Sequence, residues 1–176
     1  VDVSALGHVH DLDLSYCPNI IDVSALGGVH TLNLSSCNSV VDVSALGHVY
    51  DLDLSDCPNI IDVSALGGVH KLNLYFCQKV VNVSALGHVH DLCLRNCSNI
   101  IDVSQLGGVY KLDLTDCWKV VNVSALGQVH DLCLSSCNNI IDVSQLGGVY
   151  KLNLNGCYRV VNVSALGQVH DLCLSY

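Results

Sequence analysis

The chain has no Glu, no Met, one Trp, one Phe and two Pro in 176 residues, and its first seventy residues contain neither Lys nor Arg. Each scarcity excludes something. With a net charge of -9 and no basic cluster, nucleic acid is not expected as a ligand, because phosphate binding requires a basic surface. No apolar run approaches the ~20 residues of a membrane-spanning helix, and no basic, apolar-cored signal segment opens the chain. The missing initiator Met and the abrupt stop at Tyr176 point to an excised or processed piece. What remains is 51% apolar, mostly Val, Leu, Ile, Ala and Cys, far too hydrophobic for a disordered tail. So narrow an alphabet points to a repeat.

Written in blocks of twenty, the chain aligns without insertion as units 1–20, 21–40, 41–60, 61–80, 81–100, 101–120, 121–140 and 141–160, then a partial ninth, 161–176. A fixed period of this kind implies a solenoid. Residues 1–176 are therefore read as a single array without distinct caps. Within each unit the equivalents of Leu12 and Leu14 alternate with polar residues, as in a strand with one buried face. From Cys17 the spacing changes: Ile20, Val23 and Leu26 fall three apart, and Asp22 stands before Val23-Ser24-Ala25 as a capping residue stands before a short turn. The return leg is too short for an α-helix, which predicts a 3₁₀ turn. Gly27, joined by Gly28 in even units, is expected to let the backbone bend toward the next strand. A second period lies inside the first. Odd units carry His or Gln at the eighth position and favour Asp at the eleventh; even units carry Gly at the eighth and, from Lys71 onward, Lys at the eleventh. The duplicated module is forty residues.

The run Val9-x-x-Leu12-x-Leu14-x-x-Cys17, followed by Ile20-x-Asp22-Val23-Ser24-Ala25-Leu26, resembles the leucine-rich repeat, with the D-V-S-A-L stretch similar to the D-I-S-P-L of internalin-type repeats and Cys in place of Asn as in the cysteine-containing subtype. The resemblance covers the whole chain. It implies nine parallel strands on a concave face, short 3₁₀ or extended convex segments, little or no α-helix, and, because the unit is short, low curvature. It also implies a non-enzymatic scaffold for a protein or peptide.

In-register strands at ~4.8 Å spacing would give a sheet roughly 40 Å long. Positions eleven, thirteen and fifteen would then line its exposed face. The eleventh position reads Asp51, Lys71, Asp91, Lys111, Asp131, Lys151, Asp171, so opposite charges alternate on neighbouring strands and favour register. Of the eleven cysteines, eight occupy one repeat position, from Cys17 to Cys157; they are expected as buried free thiols bonded to nearby backbone, since parallel neighbours lie too far apart for disulfides. Such a ladder suits a reducing, intracellular compartment. Cys93, Cys133 and Cys173 fall instead on the exposed face and are expected to be open to solvent. At the tenth position His10, His30, His70, His90, His130 and His170 share their place with Tyr50, Tyr110 and Tyr150, which points to stacked rings and not to a metal site; no metal or cofactor is expected. Stacked imidazoles that charge near pH 6 would loosen the array. Ser, His and Asp recur because the unit recurs, so no catalytic constellation can be read from them.

Information lies where the repeat breaks. Tyr75 and Arg95 share the fifteenth position on adjacent strands, where a cation–π contact is expected, and Phe76 follows Tyr75. Trp118 and Tyr158 share the eighteenth position, with Lys79, Lys119 and Arg159 at the nineteenth. Tyr, Trp and Arg are types that dominate interface hot spots, although exposed positions also accept drift. Residues 1–70 hold nine Asp and no base, whereas residues 71–176 hold seven of each sign. Asp11, Asp13, Asp51, Asp53 and Asp56 would form an acidic end of the sheet face, steering a basic partner or keeping the solenoid soluble. The alternative to a binding scaffold is a structural element that stacks end to end, forming a homo-oligomer through uncapped apolar ends.

Overall fold

A computed structural model describes residues 1–175. Nine strands, β1 (Asp11–Asp13), β2 (Thr31–Asn33), β3 (Asp51–Asp53), β4 (Lys71–Asn73), β5 (Asp91–Cys93), β6 (Lys111–Asp113), β7 (Asp131–Cys133), β8 (Lys151–Asn153) and β9 (Asp171–Cys173), form one parallel sheet in chain order. Each residue pairs with its equivalent twenty positions on, as Leu52 with Leu72 and Lys111 with Asp131. The return legs of the second to ninth units contain 3₁₀ turns such as Ser24–Gly28 and Ser44–Leu46, and no α-helix occurs among the described residues. This is the solenoid that the period implied, with the parallel strands and short 3₁₀ turns expected from the resemblance to leucine-rich repeats.

Three residues are a short strand, but the lateral bonding extends past both ends. The carbonyl of His30 accepts from the amides of both Tyr50 and Asp51, and farther on Leu34 donates to Asp53 O and Ser36 to Ser55 O. Continuing the ladder to the sixteenth position requires an abrupt backbone turn, because Cys37 N–H must fold back to Leu34 O. The sixteenth residue supplies it from the left-handed region. Tyr16, Ser36, Asp56, Phe76, Asn96, Asp116, Ser136 and Gly156 all have φ between 54° and 73°.

The core is a column of seven apolar positions per unit. In the fourth unit these are Val63, Leu66, Val69, Leu72, Leu74, Cys77 and Val80, all at most 2% exposed. Two adjacent aliphatics at the unit junction cannot both face inward: Ile60 is buried and Ile61 is 59% exposed.

The cysteine ladder has a direction. Each thiol donates to the carbonyl of the fourteenth residue in the preceding unit, from Cys37 to Leu14 through Cys157 to Leu134, at 3.0–3.2 Å. Leu34 O, for example, accepts both the Cys37 amide of its own turn and the Cys57 thiol of the next unit. Both lone pairs of a buried carbonyl are thereby satisfied, and desolvation pushes the Cys57 thiol up to about 12.

The glycines act differently from expectation. Gly47 lies in a turn, as expected, but with an ordinary right-handed backbone, φ -63°, that any residue can adopt. Its hydrogen is required by proximity, because a Cβ there would overlap the carbonyl oxygen of Ala65 in the next unit. Gly27, Gly67, Gly87, Gly107, Gly127 and Gly147 repeat the arrangement. The even-unit glycines look the other way: a Cβ on Gly68 would stand 2.6 Å from Gly47 O, and one on Gly108 2.7 Å from Gly87 O. Odd units place His48, His88 and Gln128 at the same position. Backbone touches backbone on this wall as it does in the sheet, which leaves little wedge between the two.

Candidate functional site

The outer face of the sheet is built in rows. Along the eleventh position Lys71 reaches Asp51 at 3.5 Å and Lys111 reaches Asp91 at 3.1 Å, each toward the preceding strand. Asp131 turns instead to its chain neighbour His130, Nδ1 to Oδ1 at 2.7 Å. The bond from Lys111 Nζ holds that ammonium above its ordinary range.

Asp and Asn at the thirteenth position close the strand. Asp13 Oδ1 accepts the Ser15 amide at 2.8 Å, Asp53 the Ser55 amide at 2.8 Å, and Asn73 the Tyr75 amide at 3.0 Å. Asn73 also donates to Asp53 Oδ2 at 3.0 Å. The Ser15 amide holds the Asp13 carboxyl below the usual carboxylate range. Two members of the expected acidic patch, Asp13 and Asp53, are therefore turn-forming residues first. A matching bond recurs at the return leg, where Asp22 Oδ1 accepts Ser24 N–H at 2.9 Å; the capping role read for Asp22 takes this form, a two-residue turn ahead of the 3₁₀ segment. Asp11 is exposed, and Asp51 and Asp56 are half-buried.

Cys93, Cys133 and Cys173 substitute for Asp or Asn in this row, and the structure corrects their expected environment. They are half-buried, not open thiols. Burial pushes both the Cys93 and Cys133 thiols up. Cys133 Sγ lies 3.2 Å from Thr115 Oγ1. Cys173 is the exception: its hydrogen bonds with Ser175 hold it below the ordinary thiol range.

The irregular residues are assembled otherwise than expected. Arg95 turns away from Tyr75 and sets its Nε 3.8 Å from Asp113 Oδ2, on the next strand. The ring partner of Tyr75 is Phe76, at 5.9 Å between centroids and tilted by 37°. Asp113 is only 26% exposed, so a neighbouring full charge is weakly screened and outweighs the quadrupole of an aromatic ring. At the strand-exit rim, Lys79 donates to Asn59 at 2.7 Å, Lys119 to Asn99 at 2.6 Å and Arg159 to Asn139 at 3.3 Å. Those Asn side chains in turn donate to Asn38 O, Gln78 O and Trp118 O. This rim network follows the forty-residue period. Lys119 also sits 5.2 Å over the Trp118 ring, while Trp118 and Tyr158 stay 49% and 64% exposed.

At the tenth position all nine rings stack as one column, from His10 to His170, with centroids 4.5–4.8 Å apart. His10, Asp11 and His30 each offer one ligand atom within 4.8 Å of the others. Stacked imidazoles run parallel, however, and do not converge as a tetrahedral metal set requires.

One surface escaped the sequence reading. The first residue of every unit, Val1, Ile21, Val41, Ile61, Val81, Ile101, Val121, Ile141 and Val161, is between 46% and 87% exposed. The doubled aliphatics at each unit junction were the available signal.

No protein-family model matches the chain, and no curated protein matches it in sequence. Among solved structures it is similar to internalin C2 of Listeria monocytogenes, at 18% identity and TM-score 0.58 over 87% of this chain and 73% of that one. The internalin inlF of the same organism follows at 15% identity and TM-score 0.49, covering 100% and 71%. The functional domain of its InlJ, described as including a cysteine ladder, has 17% identity and TM-score 0.45, covering 96% and 49%. The likeness to internalin C2 is one of fold.

Proposed function

We propose that the protein is a non-enzymatic scaffold that binds a protein or peptide through the outer sheet face and strand-exit rim, around Tyr75, Phe76 and Arg95. Phe76 carries this reading. A bulky aromatic in the left-handed region, φ 60°, is strained where Asn, Asp or Gly is not. Phe76 is 41% exposed and its ring meets that of Tyr75 at 5.9 Å, and backbone strain at an exposed aromatic pair is of the kind that clusters at contact sites. Tyr75 and Arg95 supply residue types common at interface centres. Exposed Trp118 and Tyr158 extend the surface along the rim, and the acidic first seventy residues would steer a basic partner toward it.

The test is quantitative affinity capture on the immobilised wild type, Tyr75→Ala/Arg95→Ala and Phe76→Asn, with folding checked by circular dichroism. Proteins retained by the wild type should be lost on the double variant and reduced on Phe76→Asn. Equal retention on the folded double variant would overturn the assignment.

A further inference from the structure

We propose that the ridge of exposed Val and Ile at the first position of each unit is a docking face for a second copy of this chain, paired antiparallel about a two-fold axis. The ridge belongs to the return leg and not to the sheet, so this pairing goes beyond the scaffold reading and leaves the outer sheet face around Tyr75 and Arg95 open, while it draws on the bases of the strand-exit rim.

Three observations support it. The first is area. Nine half-exposed aliphatic side chains present apolar surface on the order of 800 Å², more than a monomer ordinarily leaves open and close to what each partner contributes to a standard interface.

The second is shape. Shallow grooves of about 260 to 280 Å³ open between Val41 and Ile61, Val81 and Ile101, and Val121 and Ile141. These three lie forty residues apart, each walled by one Val and one Ile, and another of about 240 Å³ opens beside Ile21 and Asp42. A surface that meets such grooves along the full array must have the same pitch, and a second copy has it by construction. A two-fold axis makes the contact self-complementary and closes it at two copies.

The third is charge, which fixes direction. In the first half the ridge is followed by Asp2, Asp22, Asp42 and Asp62 with no base nearby in sequence. In the second half Asn82, Asn122 and Asn162 replace alternate acids, and Lys79, Lys119 and Arg159 stand two residues before Val81, Val121 and Val161. Parallel pairing would set four carboxylates against four carboxylates. Antiparallel pairing about Val81 sets Asp2 against Asn162 with Arg159 nearby and Asp42 against Asn122 with Lys119 nearby, and leaves Asp22 facing Asp142 and Asp62 facing Asp102, fewer like pairs than the parallel arrangement.

Sedimentation equilibrium of the full chain tests the proposal with two variants, Ile61→Thr/Ile101→Thr on the ridge and Asp2→Lys/Asp42→Lys beside it, where Arg159 and Lys119 of the second copy would stand. Thr retains β-branching at exposed sites, and circular dichroism with a thermal melt confirms the fold of each variant. The wild type should reach a dimer. The Thr variant should raise the dimer dissociation constant at least about tenfold, and the Lys variant should weaken it by facing bases with bases. A wild type that stays monomeric at every accessible concentration overturns the proposal. So does a dimer indifferent to the Thr variant, which must use another surface. A dimer sensitive to Thr but indifferent to Lys overturns the antiparallel arrangement. Sheet-face binding by Tyr75 and Arg95 should survive in all these variants, which separates failure here from failure of the scaffold reading.

Discussion

At Phe76 the backbone asks for one kind of residue and the sequence supplies another. Gly156 meets the same left-handed requirement without a side chain, and Asp56, Asn96 and Asp116 with short polar ones. Phe76→Asn should therefore raise stability by about 0.5–1 kcal/mol, read as a higher urea midpoint at unchanged slope. Gly47 makes the opposite case. Gly47→Ala must push its methyl into Ala65 O and should cost about 1–3 kcal/mol, whereas Gly167→Ala, with no atom within 4 Å of its added carbon, should leave the urea midpoint in place. Neither requirement was legible in the sequence. Tyr16, Ser36 and Phe76 mask the Asp, Asn and Gly pattern that would have marked a left-handed position, and an invariant glycine reads alike whether it serves a bend or a close approach. The cysteine position was legible as a backbone-bonded thiol; its acceptor in the preceding unit was not, because only packing selects which carbonyl has a free lone pair.

The strands were the most legible elements, since a period of two at Leu12 and Leu14 and a fixed twenty-residue step leave one register that turns every strand Leu toward the core. Their boundaries are set by something subtler, the thirteenth-position Asp or Asn that captures the amide two residues on. The alternating eleventh row is real but asymmetric, with Lys71 and Lys111 each bonded backward. Lys111→Asp would place three carboxylates side by side on β5, β6 and β7 and remove the 3.1 Å bond to Asp91. A loss of about 1 kcal/mol is expected, larger at low salt; an unchanged melting midpoint at low salt would show that the row does not hold register. The partner of Arg95 was not legible because a long side chain at an exposed position has neighbours on both flanks, and the choice between Tyr75 and Asp113 depends on how well each is screened.

The whole array shares one column of thiols, and that column should govern its response to alkali. Burial raises these groups in the folded chain, Cys57 and Cys97 to about 12 and Cys77, Cys117 and Cys137 higher still, whereas an unfolded thiol titrates near 8.5. The unfolded chain therefore releases protons first. Stability is fully present below pH ~8.5 and is lost as pH rises toward about 12, at a slope of up to roughly 1.4 kcal/mol per pH unit for each buried thiol. The urea midpoint should fall steeply between pH 8 and 10.5, and the fall should shrink when Cys77, Cys97 and Cys117 are replaced together by Ser, which does not titrate there.

Gly28, Gly68, Gly108 and Gly148 back onto the unit before them, where His48, His88 and Gln128 do not, so neighbouring units are not interchangeable. Duplicating or deleting a single unit of twenty would set two of one kind side by side. For the His-bearing kind, that brings a side chain to a place where only a hydrogen fits. Gain or loss of a whole pair leaves every junction as it was. Slippage or unequal recombination in phase with the pair can lengthen or shorten such a gene without a structural fault, whereas a change that sets two His- or Gln-bearing units side by side cannot.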